Sequence, residues 1–273
     1  MQRRKNGAVP TVPRATRPAV IAVAHELRRL RTERGLSLRQ LATRTGISPS
    51  RMSALETGHL GPDPITVAFL LGAIGMQLTT LEKLVPLAAR ADEPDFLDPT
   101  GHDERMLRTG FENLATEVFE WSPMLFPTAL RSAGYSHAIR ESGMPHPDTA
   151  TRDLVPASAR VSLADSPETR YTFLLGEAAT RPDACPPDVL CDQIEEVAAV
   201  SKMLRISISL VPASFCPTGL VEPFTLYENH DGPFGVAVPH HRGVAYLTNK
   251  ASVSDYATTA TWLRSGVAAP SWP

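Results

Sequence analysis

LRQLATRTGISPSRMSALETG, residues 38–58, is the stretch on which the reading of this chain turns. Ser37, just ahead of it, and Ser48, within it, stand where helix N-caps belong, since a side-chain oxygen there accepts from the unpaired N–H groups of a first turn. Pro49 follows Ser48 at the first helical position, where its missing N–H costs nothing. Gly46 and Gly58 stop the two segments, because glycine accepts the left-handed conformation that ends helices. Leu38, Leu41 and Ala42 share a face of the first helix, and Met52 and Leu55 form the inward face of the second. Small Ala42 lets the helices cross closely, and Ile47, Met52 and Leu55 plug the joint. Two short helices joined by a tight turn, behind a basic helix, are what helix-turn-helix DNA binding requires.

The flanks extend the same pattern. In AVIAVAHELRRLRTERG, Val20, Val23, Ala24, Leu27 and Leu30 recur at helical spacing and Gly35 stops the run. DPITVAFLLGAIGM supplies a fourth helix and TTLEKLVPLAAR a fifth, interrupted or ended near Pro86. An all-α domain over residues 19–90 follows, behind a flexible basic arm, residues 1–18. ADEPDFLDPTGHD is acidic with two prolines and reads as a linker over residues 91–103.

Charge separates the two ends. Residues 1–60 carry twelve Lys and Arg against three acidic residues, or +9, while the whole chain is −2, which leaves −11 for residues 61–273. One end is suited to a polyanion and the rest is repelled by it. No apolar run approaches the roughly 20 residues of a membrane-spanning helix, and the basic N-terminus has no apolar core of signal-peptide length. The chain reads as cytoplasmic. Cys185, Cys191 and Cys216 form neither a CxxC pair nor an even framework, and with His230, His240 and His241 they match no zinc spacing. No metal and no cofactor is expected.

Residues 104–268 mix helices and strands, with residues 269–273 as a tail. ERMLRTGFENLATEVFEW, ALRSAGYSHAIRE, TRDLVPASARVSL, PPDVLCDQIEEVAAVSKML and SVSDYATTATWLRSGV read as helices. RYTFLLGEA, RISISLVP, FTLYEN, FGVAVP and VAYLTN read as strands. The class is α+β with a small, largely antiparallel sheet. Trp121, Phe126, Tyr135, Phe173 and Phe224 either line a pocket or form plain core. Acid-base groups exist in Glu177, in Asp192, Glu195 and Glu196, and in His240 with His241. The three acids most simply form the wet face of a helix, and no nucleophile motif or phosphate loop accompanies them. The chain is not expected to be an enzyme.

Over residues 22–85, LRRLRTERGLSLRQLATRTGISPSRMSALETGHLGPDPITVAFLLGAIGM resembles the Xre family of phage-repressor-like helix-turn-helix modules. The resemblance implies that Arg31 pairs with Glu56 as a structural ion pair. It maps the family's reading positions onto Pro49, Ser50 and Ala54, with Arg51, Ser53 and Thr57 beside them; Ser48, Arg39 and Arg44 complete the set of expected DNA contacts. Leu38 stands where the family often has a phosphate-bonding glutamine, so that contact is not carried over. Ser50 bonds a base edge without strong preference, Ala54 offers contact to a thymine methyl, and Arg51 alone suits a bidentate guanine contact. Affinity must then come from phosphate contacts by Arg39, Arg44, Arg51 and the arm residues Arg3, Arg4, Lys5, Arg14 and Arg17. Arg28, Arg29 and Arg34 serve either as further phosphate contacts or as a solvated helix face.

Over residues 103–268 the chain is similar to the regulatory domain of unknown function that follows an Xre module in WhiJ-like regulators of high-GC bacteria. ENLATEVFEWSPMLFPTALRSAGYSHAI, FLLGEAATRP, DQIEEVAAVSKMLRISISLVP, FTLYEN and SDYATTATWLRSGV carry that resemblance. TALRS after Pro127, and Ala159 with Arg160, depart from the family pattern. The resemblance implies a transcription regulator, with repression as the first reading of its sign; two-fold binding to spaced half-sites is the usual way a small reader gains specificity, so a homodimer is expected. It binds double-stranded DNA, and its larger half senses a small molecule or a small partner protein. The alternatives are an antitoxin-like protein that mainly neutralises such a partner, or an enzyme fused to a DNA-binding module.

Overall fold

The structure is a computed structural model that describes residues 16–98, 103–142, 168–181, 185–215, 222–240 and 243–267. The chain divides into two compact units. One runs to Pro94 and includes Thr248–Lys250, and the other comprises Asp95–Leu247 and the chain from Ala251 onward.

The first unit contains five helices among its described residues: α1 Pro18–Glu33, α2 Leu38–Thr45, α3 Pro49–Glu56, α4 Pro64–Ile74 and α5 Leu78–Ala89. The first four begin or end as their sequence dictates. The Ser37 hydroxyl accepts from the Gln40 N–H while Gln40 accepts from the Ser37 N–H, a reciprocal cap on α2. Ser48 accepts from the Arg51 N–H at the start of α3, and Asp63 from the Thr66 N–H at the start of α4. The chain reverses after α2 through Gly46, at φ 72°. Leu27, Leu41, Met52, Leu55, Val67, Leu71 and Leu84 are almost wholly removed from water and form the core. α5 passes through Pro86 without interruption and ends at Ala89. One backbone hydrogen bond is lost there, which the buried Leu84, Leu87 and Ala88 on either side outweigh.

His25, on α1, is partly buried, and burial lowers its pKa below the usual 6.5, with Arg29 and Arg28 adding to the effect and Glu26 opposing it. The unfolded chain then binds the proton more readily. Stability that His25 supplies in its neutral form is complete above about pH 6.5 and is lost as the pH falls below that value. We expect His25→Gln to flatten the decline in melting temperature between pH 7 and pH 5 relative to the wild type; parallel curves would contradict this.

The second unit carries a seven-stranded sheet in the order β1-β7-β6-β5-β2-β3-β4. Its strands are β1 Asp95–Asp98, β2 Glu117–Ser122, β3 Arg170–Gly176, β4 Ile206–Val211, β5 Phe224–Asn229, β6 Gly232–His240 and β7 Gly243–Leu247. The helices are α6 Glu104–Leu114, α7 Ala133–Glu141, α8 Pro187–Val200 and α9 Lys250–Ser265, with short 3₁₀ turns at Thr128–Leu130 and Glu177–Thr180. The sheet is largely antiparallel, as expected of an α+β domain. Its β2-β3-β4 side is parallel, and α7 and α8 provide the long returns that parallel pairing needs.

Two strands lie where sequence reading puts other structure. Asp95–Asp98, inside the expected linker over 91–103, pairs with β7 in the register Phe96↔Tyr246. ERMLRTGFENLATEVFEW is not one helix: α6 ends at Leu114 and β2 starts at Glu117. Val118, Phe119 and Trp121 are β-formers, and β2 is buried on both faces between β5 and β3. TRDLVPASARVSL lies outside the described residues.

Each sheet face has its own core. Phe119, Trp121, Leu174, Phe224, Leu226 and Val236 lie with Val253, Ala260 and Leu263 of α9. On the other face Phe111 of α6 sits 5.1 Å from both Tyr227 and Tyr246, centroid to centroid. Gly235 makes that approach possible: a Cβ there would lie 2.3 Å from Cε1 of Phe111. Gly235→Ala is expected to cost about 2 kcal/mol, as overpacked cores do, read as a lower denaturation midpoint; a change within error would contradict the packing described.

Candidate nucleic-acid interface

The geometry of α2 and α3 follows from one buried ion pair. Arg31 on α1 donates from Nε to Oε1 of Glu56 at 2.6 Å and from Nη2 to Oε2 at 2.7 Å. Its Nη1 donates to the Leu36 carbonyl at 2.6 Å. The two side chains are only 10% and 8% exposed. The hydrogen bonds it donates to Glu56 raise the guanidinium's pKa further above its ordinary range. The fork ties the end of α3 to α1 and to the turn before α2, and Met52 and Leu55, each 1% exposed, fill the space beneath α3. Scaffold, rather than DNA contact, is the role this burial assigns to both partners.

What α3 leaves outside is small and mostly neutral. Pro49, Ser50 and Arg51 are exposed, and Ser53 and Ala54 are partly so. The Ser48 hydroxyl is engaged by the Arg51 N–H and lies 3.2 Å from that of Ser50. Thr57 is exposed, but its hydroxyl donates to the Ser53 carbonyl at 2.8 Å, so only acceptor capacity and the methyl remain for a ligand. Arg39 and Arg44 are exposed on α2, and Arg44 reaches the Ala73 carbonyl at 3.5 Å. Exposed His59, in the turn after α3, has Nδ1 2.9 Å from the Thr57 hydroxyl. Sequence reading passed over it, although its place directly after Gly58 at the end of α3 was the available signal.

The remaining expected phosphate contacts divide. Arg17 is not a free arm residue: its side chain is 15% exposed and bonds Asp92 at 2.7 Å. Arg29 is held by Glu26 and Glu33, and Arg34 donates to the Gly75 carbonyl at 3.1 Å. Arg28 is exposed. Arg3, Arg4, Lys5 and Arg14 lie outside the described residues.

In the second unit the acid-base groups considered from sequence are dispersed. The Glu177 carboxylate accepts from the Ala213 N–H at 2.9 Å, which holds the turn after β3 to the end of β4. Asp192 and Glu195 are exposed on α8 and Glu196 partly so, while His240 is partly buried at the end of β6. His241 and Cys216 lie outside the described residues. Cys185 is buried, which raises its pKa, and Cys191 is exposed. Trp121, Phe126, Tyr135, Phe173 and Phe224 are core side chains, at most 2% exposed. Trp121 and Phe224 face α9, whereas Phe173 lies on the opposite face by the alternation along β3.

A family model described as a domain of unknown function (DUF5753) matches residues 108–270, and one described as a helix-turn-helix domain matches residues 22–84. No curated protein and no solved structure matches the chain.

Removing one partner of the ion pair leaves the other charge buried and alone. Glu56→Leu and Arg31→Leu should therefore each lower stability by about 3–5 kcal/mol, and the double replacement should cost less than the two single changes summed. Chemical denaturation of the three variants measures this; additive losses would show that the two side chains act independently.

Proposed function

Since the chain belongs to the family of that domain of unknown function and carries a helix-turn-helix domain ahead of it, we propose that it is a cytoplasmic, homodimeric transcription regulator of the Xre and WhiJ-like kind. The DNA-binding regulator in this reading follows from the helix-turn-helix match. Its sign, its dimeric state and its sensing half are the parts proposed. The observation that carries it is the exposed side of α3. The buried Arg31–Glu56 fork and the Met52–Leu55 plug hold the helix so that Ser50 and Arg51 face outward, in the most basic stretch of the chain.

In this reading α3 enters the major groove of a duplex. Arg51 reaches a guanine edge or a phosphate, Ser50 and Ser53 bond base edges with little preference, and Ala54 packs on a thymine methyl. Ser48 and Thr57 sit at the helix ends, close to backbone phosphates. Arg39 and Arg44 bond phosphates, and these contacts set affinity more than sequence preference. Repression is proposed on the simplest ground, that a bound regulator occludes the DNA it covers.

The DUF5753 domain is read as the sensor. The aromatic side chains that a small-molecule pocket would use are core among the described residues, which favours a small partner protein as the signal. A regulator whose partner displaces it from DNA and an antitoxin that neutralises its partner are two uses of the same contact. A catalytic role is not proposed, because Glu177 spends its carboxylate on a backbone N–H and the α8 acids lie along a wet face.

Replacing Ser50 and Arg51 together with alanine tests the assignment of α3. With duplex DNA from upstream of the protein's own gene, we expect binding to weaken by about 1–3 kcal/mol if Arg51 meets a guanine. If it meets a phosphate, the slope of log affinity against log salt should fall by about one. Unchanged affinity with an unchanged slope would overturn the role given to this helix.

A further inference from the structure

The chain leaves α8 at Val200 and enters β4 at Ile206. Between them Lys202, Met203, Leu204 and Arg205 are all exposed, Leu204 to 94% and Met203 to 43%. The Met203 N–H donates to the Val200 carbonyl at 2.9 Å and the Ile206 N–H to the Met203 carbonyl at 3.3 Å, so the turn is held by its own backbone. Arg205 has φ 74°, and among the described residues no other non-glycine residue has a positive φ. With Leu204 second and Arg205 third, this is a type II turn, whose third position suits glycine or asparagine. A longer side chain there is strained. The turn thus keeps a guanidinium where glycine would be relaxed, and presents Leu204 at its corner.

Positive charge gathers at the same place. The Arg205 carbonyl accepts from the Tyr171 N–H at 2.8 Å, which sets Arg205 beside the start of β3, and the first residue of β3 is Arg170. The Arg170 side chain is 70% exposed and comes no nearer than 3.7 Å to Glu117, whose other oxygen is held by Arg264 at 2.7 Å. Lys202 and Arg205 make no ion pair or side-chain hydrogen bond among the described residues, although exposed Glu168 lies two positions ahead of Arg170. Like charges side by side repel, and these stand in a stretch, residues 61–273, that carries −11 overall.

We propose that this turn is the docking point for an acidic peptide segment of the partner protein, with Met203 and Leu204 packing on its apolar side chains while Lys202, Arg205 and Arg170 bind its carboxylates. The proposal rests on the sensing role given above to the second half and specifies the surface and the chemistry it recognises. Charge complementarity selects the occupant: the cations lack partners of their own, and arginine forks match carboxylates. A duplex backbone would meet the cations but gives two apolar side chains nothing to pack on. A lipid surface needs more than two apolar side chains and a few charges for stable anchoring. The small area belongs with transient signalling contacts, which suits a signal that must be released.

The test displays random linear peptides against the full-length chain, with excess duplex DNA present to occupy the basic face of the first half. Enriched peptides are expected to combine Asp or Glu with aliphatic or aromatic residues and to bind more weakly as salt rises. Leu204→Asp removes the apolar tip at a position almost wholly in water, and should weaken such a peptide about tenfold, the scale of one buried aliphatic side chain. Arg205→Gly should also weaken it while the melting temperature holds or rises, because the strain leaves with the side chain; an arginine with a merely structural role would not separate binding from stability in that way. Peptides without acidic residues, or acidic peptides that both variants bind as the wild type does, would overturn the docking point and leave the sensing role standing. Vesicles of phosphatidylglycerol and phosphatidylcholine in equal parts are run alongside. Vesicle capture of the wild type but not of Leu204→Asp, with no peptide enriched, would make the turn a lipid contact and overturn the proposal. Neither peptide nor vesicle binding would remove the docking point and the partner-protein reading together, while DNA binding by α3 keeps its own test.

Discussion

The Arg31–Glu56 pair is the constraint on which the DNA-facing half depends. Both charges lie beneath the surface, and the bidentate geometry with a third bond to the Leu36 carbonyl leaves the guanidinium little freedom. An isolated eight-residue helix such as α3 is marginal in water. Its position comes from its end being bonded to α1 and its underside being plugged by Met52 and Leu55. The cost of burying two charges is repaid in direction, since the fork fixes which way Ser50 and Arg51 point.

The second unit is organised by β2. That strand pairs antiparallel with β5 and parallel with β3, so the meander on one side and the α/β returns on the other meet along it. Arg264 of α9 closes the arrangement by bonding Glu117 at 2.7 Å and Glu228 at 3.1 Å, at the start of β2 and the end of β5, with its guanidinium 4.7 Å over the Phe119 ring. Gln193, completely buried, spans from the Ser132 N–H to the Leu130 carbonyl and so pins α8 to the turn before α7. Both are polar side chains at sites that hydrophobic patterning does not mark.

The helix-turn-helix half could be read almost entirely from sequence, because its signals are local: a serine cap, a proline one position later, a glycine at the stop of each of the first four helices. The second half was harder because its decisive contacts are distant. Residues 115–122 follow a helix without a glycine or proline, and only pairing with residues far along the chain makes them a strand. Asp95–Asp98 looked like a linker because its acids and nearby prolines are loop-like, yet an edge strand of four residues needs little more than the buried Phe96. Pro86 argued for a helix end that packing overrides. In the helix-turn-helix half, what sequence does not show is occupancy. Arg17 and the Thr57 hydroxyl have the right chemistry for DNA, and in the structure Asp92 bonds the first while the Ser53 carbonyl takes the proton of the second; no sequence pattern marks such a partner.

On the proposed reading α3 is a scaffolded but sparsely equipped helix, and the arginines around it supply most of the binding strength. Its central claim is that α3 lies in the groove. The most direct measurement is photocrosslinking from a short photoreactive group attached at position 50 of the full-length chain, with bound duplex DNA sequenced at the adduct. The account predicts adducts on base atoms of the major groove, confined to one or two positions in each half-site. Adducts absent at position 50, but formed from a group placed at position 195 on α8, would contradict it.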